Sequence, residues 1–414
     1  MMPRSPASSQ PIYPDRPSPS QRAWVDVHLD AVCHNARALR ERAGVPLIAM
    51  VKADAYGLGM LPVVRALGAS FRDDLPGPPR PSAPWGFGVA TLDEAAALRQ
   101  AGCTARVICT TPVTGRDLPD ARALQVRPAL HRAEDIVAWA ALRGGPWHLS
   151  IDTGMSRAGV RWDQVTPLAV AIGDYPPEGV FTHFHSAELA DGSRQQQERR
   201  FSEARRALAG ALPVDVLVHS DNSAAIAARD AGSPGHLARP GIGLFGSTVV
   251  GSLELAAVVH LRARIVDLRD VQDGETVSYG ATWTAAGPRR IATVAIGYAD
   301  GYRRALSNRG EASVHGHRVP VVGTVTMDLT MLDVTALDGR CAVGDVATFV
   351  GLDGTDGPSI DDVAARGGLS PYELLTGLRL RLPRRYFEQP VGAEIDEADN
   401  GAAGDDEQGA GLTT

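Results

Sequence analysis

Short apolar runs alternate with segments of helical spacing along the chain up to about His260. Between Leu29 and Ala43, for example, apolar residues recur at the spacing of one helix face. The runs that predict strands are residues 24–27, 46–51, 87–90, 107–110, 147–151, 179–184, 216–219 and 241–245. Strands that alternate with helices predict parallel β/α units. About eight such units in about 240 residues predict a (β/α)8 TIM-type barrel, with a doubly wound open sheet as the alternative.

The pattern changes after His260, where short apolar runs are separated by Gly or Asp turns and helical spacing is scarce. These runs are residues 261–268, 291–296, 312–314, 318–325, 331–334 and 346–350. Helical spacing returns at residues 360–365 and 372–378. We therefore predict an α/β protein with a barrel domain at residues 23–262 and a mostly-β domain at residues 263–389.

The two ends of the chain differ from its middle in composition. Residues 1–22 are rich in Pro, Ser, Gln and Arg, without the apolar core of a secretory signal. Residues 390–414 are rich in Gly, Ala and acids, and both ends are predicted to be disordered. The net charge of −7 arises there, because residues 391–414 hold seven acids and no base, which leaves 41 acids and 41 bases elsewhere.

Charge, apolar runs and cysteine spacing exclude several classes of partner and site. No basic stripe indicates nucleic acid, and no apolar run of about 18 residues indicates a membrane span. The four cysteines, Cys33, Cys103, Cys109 and Cys341, lack the paired spacing of a zinc site, so no metal is predicted. A chain of this length needs no disulfides, which favours a reducing, cytoplasmic compartment.

One residue type is almost absent. Of the 41 basic residues, 40 are arginine and one, Lys52, is lysine. Compositional bias explains the exchange of Lys for Arg wherever a surface charge suffices. It does not explain a lysine at the end of an apolar strand, because Arg stays protonated and cannot act as an amine nucleophile or form a Schiff base. Lys52 is therefore a candidate for catalysis, and its apolar surroundings favour a lowered amine pKa.

The residues around Lys52, from Ala49 to Gly59, read AMVKADAYGLG. This segment resembles the pyridoxal-phosphate lysine signature of alanine racemases. The resemblance runs from about Trp24 to Phe387 and so spans both predicted domains. Further matching segments are residues 152–160, 182–184, 219–225, 239–242, 278–283, 297–302 and 322–328.

The resemblance implies a barrel, a C-terminal β domain and a head-to-tail homodimer whose active sites each take residues from both chains. It implies that Lys52 holds pyridoxal 5'-phosphate and acts as one acid/base, and that Tyr279 of the other subunit acts on the opposite face. A free tyrosine has a pKa near 10, so the pKa of Tyr279 must be lowered if it is to exchange a proton near neutral pH. In the family, the residue matching His183 touches this tyrosine and the one matching Arg157 lies near the same network.

Further roles follow from the resemblance. Arg239 matches the arginine that faces the pyridine nitrogen; it stays protonated, which makes the cofactor a weaker electron sink and disfavours transamination. His219 would support Arg239. The cofactor-binding residues would be Lys52, Tyr56, His183, Asn222, Ser223, Arg239, Gly241 and Ile242. The substrate-binding residues would be Arg157, Met327 and Asp328, and those of the entrance or its support His219, Tyr298 and Tyr302.

Two positions depart from the family pattern. Many members have a lysine, which can be carbamylated, where this chain has Ser150, so another anion or side chain must orient Arg157. A phosphate-contacting tyrosine of some members aligns with Leu380, so one phosphate hydrogen bond is expected to be missing or supplied by water. From the residues alone, Asn222 and Ser223 fit the N-terminal cap of a helix as well as a phosphate contact.

The predicted activity is the interconversion of L- and D-alanine, which supplies D-alanine for peptidoglycan. A non-catalytic pyridoxal-phosphate carrier is the first alternative, but it would need only a barrel. A racemase of serine or other small amino acids is the second, because small differences in pocket volume discriminate weakly. A decarboxylase is disfavoured by Tyr279 and by Arg239, since decarboxylation benefits from a protonated ring nitrogen.

Overall fold

The computed structural model describes residues 21–71, 82–230, 232–247, 253–354 and 356–388. Residues 1–20 of the predicted leader and the predicted acidic tail at 390–414 lie outside the described residues.

The strands are β1 (Ala23–His28), β2 (Ile48–Met50), β3 (Gly86–Val89), β4 (Val107–Pro112), β5 (Arg127–Leu130), β6 (His148–Asp152), β7 (Val160–Arg161), β8 (Gly179–Phe181), β9 (Leu217–His219), β10 (Val259–Val271), β11 (Arg289–Val294), β12 (Glu311–Val314), β13 (His317–Pro320), β14 (Thr330–Asp333), β15 (Val346–Val350) and β16 (Arg384–Phe387). The helices are α1 (Leu29–Ala43), α2 (Lys52–Gly57), α3 (Met60–Ala66), α4 (Leu92–Gln100), α5 (Leu118–Ala123), α6 (Ala133–Ala141), α7 (Ala169–Asp174), α8 (Ser193–Ala207), α9 (Ser223–Ala227), α10 (Ile360–Gly367) and α11 (Pro371–Thr376).

Seven parallel strands form the first sheet in the order β2-β3-β4-β5-β6-β8-β9. Residues 237–238 supply an eighth segment, because Leu237 bridges His219 and Ala238 bridges Leu47, both in parallel. This segment joins the last strand to the first and closes the barrel. The predicted (β/α)8 barrel is confirmed, and the open doubly wound sheet is not formed.

Two barrel segments differ from the predicted strands. The apolar run at residues 241–245 forms a 3₁₀ helix, Ile242–Phe245, and the strand role passes to residues 237–238. A short apolar run buried on all sides has no periodicity that separates strand from helix. β5 was not predicted, because Pro128 at its centre weakens the strand pattern.

The second sheet has the order β13-β12-β15-β10-β1-β16, with β11 paired to the 13-residue β10 and β14 paired to β11. Its strands agree with the predicted mostly-β C-terminal domain. The strand at residues 24–27 was predicted within the barrel region, whereas β1 pairs with β10 and β16 in this second sheet. All six residues of β1 are buried, as in a barrel strand, although Asp26 and His28 are polar.

Helix α1 links the two sheets, since it follows β1 and precedes β2. Val32, Ala36 and Leu39 on its inner face are buried, and the helix ends at Gly44, whose φ of 68° suits a residue without a Cβ. Among the described residues, no helix combines the length and apolar character that a bilayer crossing requires.

Candidate active site

The predicted barrel residues converge at the carboxyl ends of the strands, which is the active-site face of this architecture. Lys52 follows β2, and the segment holding Arg157 follows β6. His183 follows β8, Ser223 follows β9, and Arg239 follows the segment that closes the barrel. Five separate strand ends therefore contribute to one mouth.

The backbone after Lys52 is left-handed. Ala53, Asp54, Ala55 and Tyr56 have φ between 52° and 59°, and none is glycine. Each such residue costs about 1–2 kcal/mol, so the surroundings must hold the turn. Two side chains do so: the Asp54 carboxylate accepts a hydrogen bond from the Met60 N–H at 2.7 Å, and Glu94 accepts one from the Ala53 N–H at 2.6 Å.

The electrostatic surroundings of Lys52 favour its neutral amine. Burial lowers the pKa of Lys52, and the positive charges of Arg157 and Arg239 lower it further. The Glu94 carboxylate opposes these effects. A neutral amine is the form that acts as a nucleophile or accepts a proton.

Arg239 is buried, and the hydrogen bonds of its two terminal nitrogens all go to barrel residues. Its Nη1 donates to the His219 Nδ1 at 2.8 Å and to the His219 carbonyl at 2.7 Å. Its Nη2 donates to the carbonyls of Thr182 at 2.6 Å and Ser220 at 3.1 Å, with the His183 Nδ1 at 3.4 Å. The Nε–H has no acceptor among the described residues. Burial lowers the pKa of Arg239 to about 10, so the guanidinium is charged at neutral pH.

A chain of hydrogen bonds continues from Arg239 through the barrel. The His219 Nε2 lies 2.7 Å from the His148 Nδ1, and the His148 Nε2 lies 3.1 Å from a Glu178 oxygen. The Nε of Arg127 donates to the same carboxylate at 2.6 Å. Burial alone would raise the pKa of Glu178, but the hydrogen bonds from His148 and Arg127 outweigh it and lower the pKa to about 2.

Only one arrangement of protons on the two histidines satisfies all the hydrogen bonds from Arg239 to Glu178. Glu178 can only accept, so His148 donates from Nε2 and accepts at Nδ1. His219 then donates from Nε2 and accepts from Arg239 at Nδ1. Burial lowers the pKa of both histidines, which keeps them neutral. The carboxylate at one end therefore fixes Arg239 as the donor at the other.

His148 and Glu178 were not among the residues predicted for the site. A signal was present on β6, where the polar residues His148, Ser150 and Asp152 alternate with Leu149 and Ile151. Alternation places these polar side chains on one face of the strand. The partner of His148 on the neighbouring strand depends on barrel register, which the sequence pattern did not supply.

The cation near the predicted tyrosine contact is Arg157, since His183 is neutral. Burial lowers the pKa of His183 to about 3, aided by the charges of Arg239, Arg157 and Lys52. Arg157 is exposed, and the part of the chain that the structure describes gives it no hydrogen bond or ion pair. Ser150, which the family resemblance led us to expect as a departure, is buried in β6.

The loops after β9 and after residues 237–238 form a cradle. The Ser223 Oγ accepts hydrogen bonds from the Gly241 N–H at 2.9 Å and the Gly243 N–H at 3.1 Å. A Cβ on Gly241 would overlap the hydroxyl oxygen of Tyr56. Loops after the seventh and eighth strands are a common phosphate site in this architecture. Tyr56, Ser223, Gly241 and the neighbouring Ile242 therefore fit the phosphate of the predicted cofactor.

Asn222 has a structural role in this cradle. Its Oδ1 accepts a hydrogen bond from the Ala225 N–H at 2.9 Å and caps α9. The cap is one of the two interpretations that the sequence left open.

Tyr279 lies in the β domain, where its side chain is 72% exposed. Together with Tyr298 and Thr324, it lines a cavity of about 400 Å³. The preceding Ser278 has φ 67° and ψ −176°, a combination normally restricted to glycine. The Ser278 hydroxyl donates to the Thr324 carbonyl at 2.6 Å, and the Thr324 hydroxyl donates to the Tyr279 carbonyl at 2.8 Å. These bonds fix the tyrosine's backbone while its ring faces outward.

Three other predicted residues of the β domain divide by exposure. Met327 is 52% exposed, and the exposed Asp328 pairs with Arg381 at 2.7 Å. Tyr302 is fully buried against Phe349, and its predicted role at the entrance or in support of it stays a prediction. Its ring fills the β-domain core, as its apolar surface favours.

The predicted residues therefore form two groups. The barrel group surrounds Lys52, and the β-domain group surrounds Tyr279. No hydrogen bond within the described ranges joins the two groups. Leu380, the second position expected to depart from the family pattern, is 93% exposed.

Comparison with known proteins accounts for both halves of the chain. The family model "Alanine racemase, N-terminal domain" matches residues 27–249, and "Alanine racemase, C-terminal domain" matches residues 258–386. The chain belongs to the alanine racemase family. The predicted family and the predicted enzyme class, an amino-acid isomerase, are confirmed.

Relatives match over most of their length. The alanine racemase of Citrifermentans bemidjiense is 37% identical over 393 residues, which cover 89% of this chain and 99% of the relative. That of Methylobacterium nodulans is 37% identical over 382 residues, or 89% and 97% of the two chains.

Solved structures of the family agree in fold. Alanine racemase from Streptomyces coelicolor A3(2) matches with a TM-score of 0.79 at 30% identity, over 90% of this chain and 99% of that chain. The enzyme from Bartonella henselae, solved with covalently bound pyridoxal phosphate, matches with a TM-score of 0.76 at 27% identity, over 88% and 99% of the two chains.

Proposed function

We propose that the chain interconverts L- and D-alanine with pyridoxal 5'-phosphate bound at Lys52, in a site completed by Tyr279 of a second copy. The observation that carries this proposal is that Lys52, the chain's single lysine, lies near the buried Arg239. The Nε–H of Arg239 has no acceptor among the described residues, whereas its other nitrogens bond to the barrel. When bound, pyridoxal phosphate supplies a conjugated ring that stabilises the negative charge left on the substrate after loss of the α-proton.

The cofactor proposal rests on the fit of the residues around the mouth. Lys52 offers an amine whose pKa is lowered, and the Tyr56, Ser223 and Gly241 cradle offers room and donors for a phosphate. Arg239 would meet the ring nitrogen with its remaining N–H. With a pKa of about 10, Arg239 keeps this proton at neutral pH, so it orients the ring without protonating it.

Racemisation requires acid/base groups on opposite faces of the α-carbon. Lys52 supplies the amine on one face. Tyr279 would supply a phenol on the other face, where Arg157 is the nearby cation that favours its ionised form. Met327 and Asp328 would approach the substrate from the same side as Tyr279, and Tyr298 would narrow the access.

A homodimer explains why one chain keeps its two groups of candidates apart. The Tyr279 side chain is mostly exposed although the backbone of the preceding Ser278 is held in a conformation that costs about 1–3 kcal/mol. Insertion of this surface into the barrel mouth of a second copy would bury it and complete both sites at once. A cytoplasmic location is also proposed, because a chain of this length needs no disulfide framework.

Mixing two inactive variants tests the shared site. Lys52→Ala removes the only lysine, and Tyr279→Phe removes the opposite acid/base. A dimer of one variant chain with the other has one site with both groups intact and one with neither. Refolding an equal mixture should restore about a quarter of the wild-type turnover, whereas each variant alone stays inactive. Absence of any recovery, with mixed dimers verified by mass, would overturn the shared site.

A further inference from the structure

Glu94 lies at the start of α4 and makes a capping box with Thr91. The Thr91 hydroxyl accepts from the Glu94 N–H at 3.2 Å, and the Glu94 Oε2 accepts from the Thr91 N–H at 3.2 Å. The same oxygen accepts from the Ala90 N–H at 2.7 Å. These bonds are local and join the end of β3 to its helix.

The other carboxylate oxygen reaches a different part of the barrel. The Glu94 Oε1 accepts from the N–H of Ala53, the residue after Lys52, at 2.6 Å. A second capping box shows that such a contact is not needed for capping. In α10, Asp362 and Ser359 exchange the same pair of bonds, at 3.0 Å and 3.1 Å, using one carboxylate oxygen.

The Ala53 N–H is placed where the backbone turns left-handed. The four residues from Ala53 to Tyr56 adopt a conformation that costs each about 1–2 kcal/mol. A charged acceptor on the first N–H of this run is worth more than a neutral one. The bond therefore sets where the turn begins, and with it the direction of the Lys52 side chain.

We propose that Glu94 is a positioning residue that holds the Lys52 amine in the active site through its bond to Ala53. This proposal rests on the proposed function of Lys52. Glu94 does not touch the reacting atoms in this scheme, because its two oxygens are occupied by backbone N–H groups. Its negative charge also raises the pKa of Lys52 against burial and the two arginines.

The single lysine makes the test direct. In cofactor-free, full-length protein, competitive acetylation across a pH series, followed by peptide mass analysis, reports the reactivity and pKa of Lys52 alone. Glu94→Gln keeps the size of the side chain but lets only one oxygen accept. We expect the Lys52 pKa to fall, and kcat of the loaded enzyme to drop about tenfold or more. KM should change less, because no substrate contact is removed.

Thr91→Ala is the matched control. It weakens the same helix cap but keeps the bond between Glu94 and Ala53, so it should lower thermal stability while leaving the Lys52 pKa and kcat near those of the parent. Asp362→Asn repeats the comparison in a distant cap. If Glu94→Gln matches Thr91→Ala in both readouts, Glu94 is only a helix cap and the inference is overturned.

Borohydride reduction separates this failure from failure of the proposed function. The parent protein should carry the cofactor mass on the peptide that contains Lys52. Absence of that mass in the parent would overturn both proposals. Its presence, with unchanged Lys52 reactivity in Glu94→Gln, would overturn the role of Glu94 alone.

Discussion

Glu178→Gln tests the hydrogen-bond chain that orients Arg239. The substitution keeps the shape of the side chain but removes its charge. A carboxamide can donate as well as accept, so the His148 and His219 protons are no longer confined to one arrangement. We therefore expect both a loss of stability and a loss of order at Arg239.

The size of the stability effect follows from the pKa of Glu178. Hydrogen bonds from His148 and Arg127 lower this pKa from 4.5 to about 2 despite burial. At about 1.4 kcal/mol per pKa unit, ionised Glu178 contributes at most about 3 kcal/mol at neutral pH. The side chain is 25% exposed, so we expect a measured loss of about 2–3 kcal/mol.

The pH dependence has a definite sign. Because the folded-state pKa is below the unfolded value, the contribution is full above pH 4.5 and is lost as the pH falls toward 2. Urea unfolding of the parent and of Glu178→Gln should therefore differ at pH 7.5 and converge as the solution is acidified. Glu41→Gln, at an exposed position on α1, is the control and should leave stability unchanged.

Activity provides the second readout of the same variant. We expect kcat to fall because Arg239 loses its single orientation, while the cofactor stays bound at Lys52. Equal stability of Glu178→Gln and the parent at pH 7.5, or a difference that persists unchanged on acidification, would refute the reasoning.

Two further predictions concern burial and packing. Burial, with the nearby His28 and Arg262, lowers the pKa of His260 from 6.5 to about 3, so its contribution to stability is lost as the pH falls below 6.5. Between pH 7.5 and 5, urea unfolding should show about 2 kcal/mol less decline in His260→Gln than in the parent; equal declines would contradict the assignment. Gly241→Ala should weaken cofactor binding about tenfold or more, because the new methyl overlaps the Tyr56 hydroxyl. Fluorescence titration with pyridoxal phosphate measures this, and binding as tight as that of the parent would contradict the overlap.

The sequence predicted the barrel because its strands are short, apolar and separated by helical segments. It assigned two of the eight strand positions incorrectly. β1 is fully buried, but in the second sheet, and residues 237–238 are too short to show a strand pattern. The two incorrect strands, at residues 24–27 and 241–245, are replaced in the barrel by β5 and residues 237–238, so the total of eight is unchanged.

The site was predictable where its chemistry is local. Lys52 and the glycines near Arg239 stand in contiguous segments that carry recognisable patterns. The series of hydrogen bonds from Arg239 to Glu178 was not predictable, because it depends on the register of three strands far apart in sequence. The Glu94 bond to Ala53 was missed for the same reason, since a helix cap alone explains Glu94 in the sequence.

The central claim is that one group removes the α-proton and a second group protonates the opposite face. Incubation of cofactor-loaded protein with L-alanine in D₂O tests it most directly, with D-alanine and α-deuterium followed together from the first turnovers. The account predicts D-alanine that carries deuterium at the α-carbon. D-alanine that retains the original proton, or deuterium exchange into L-alanine without inversion, would contradict it.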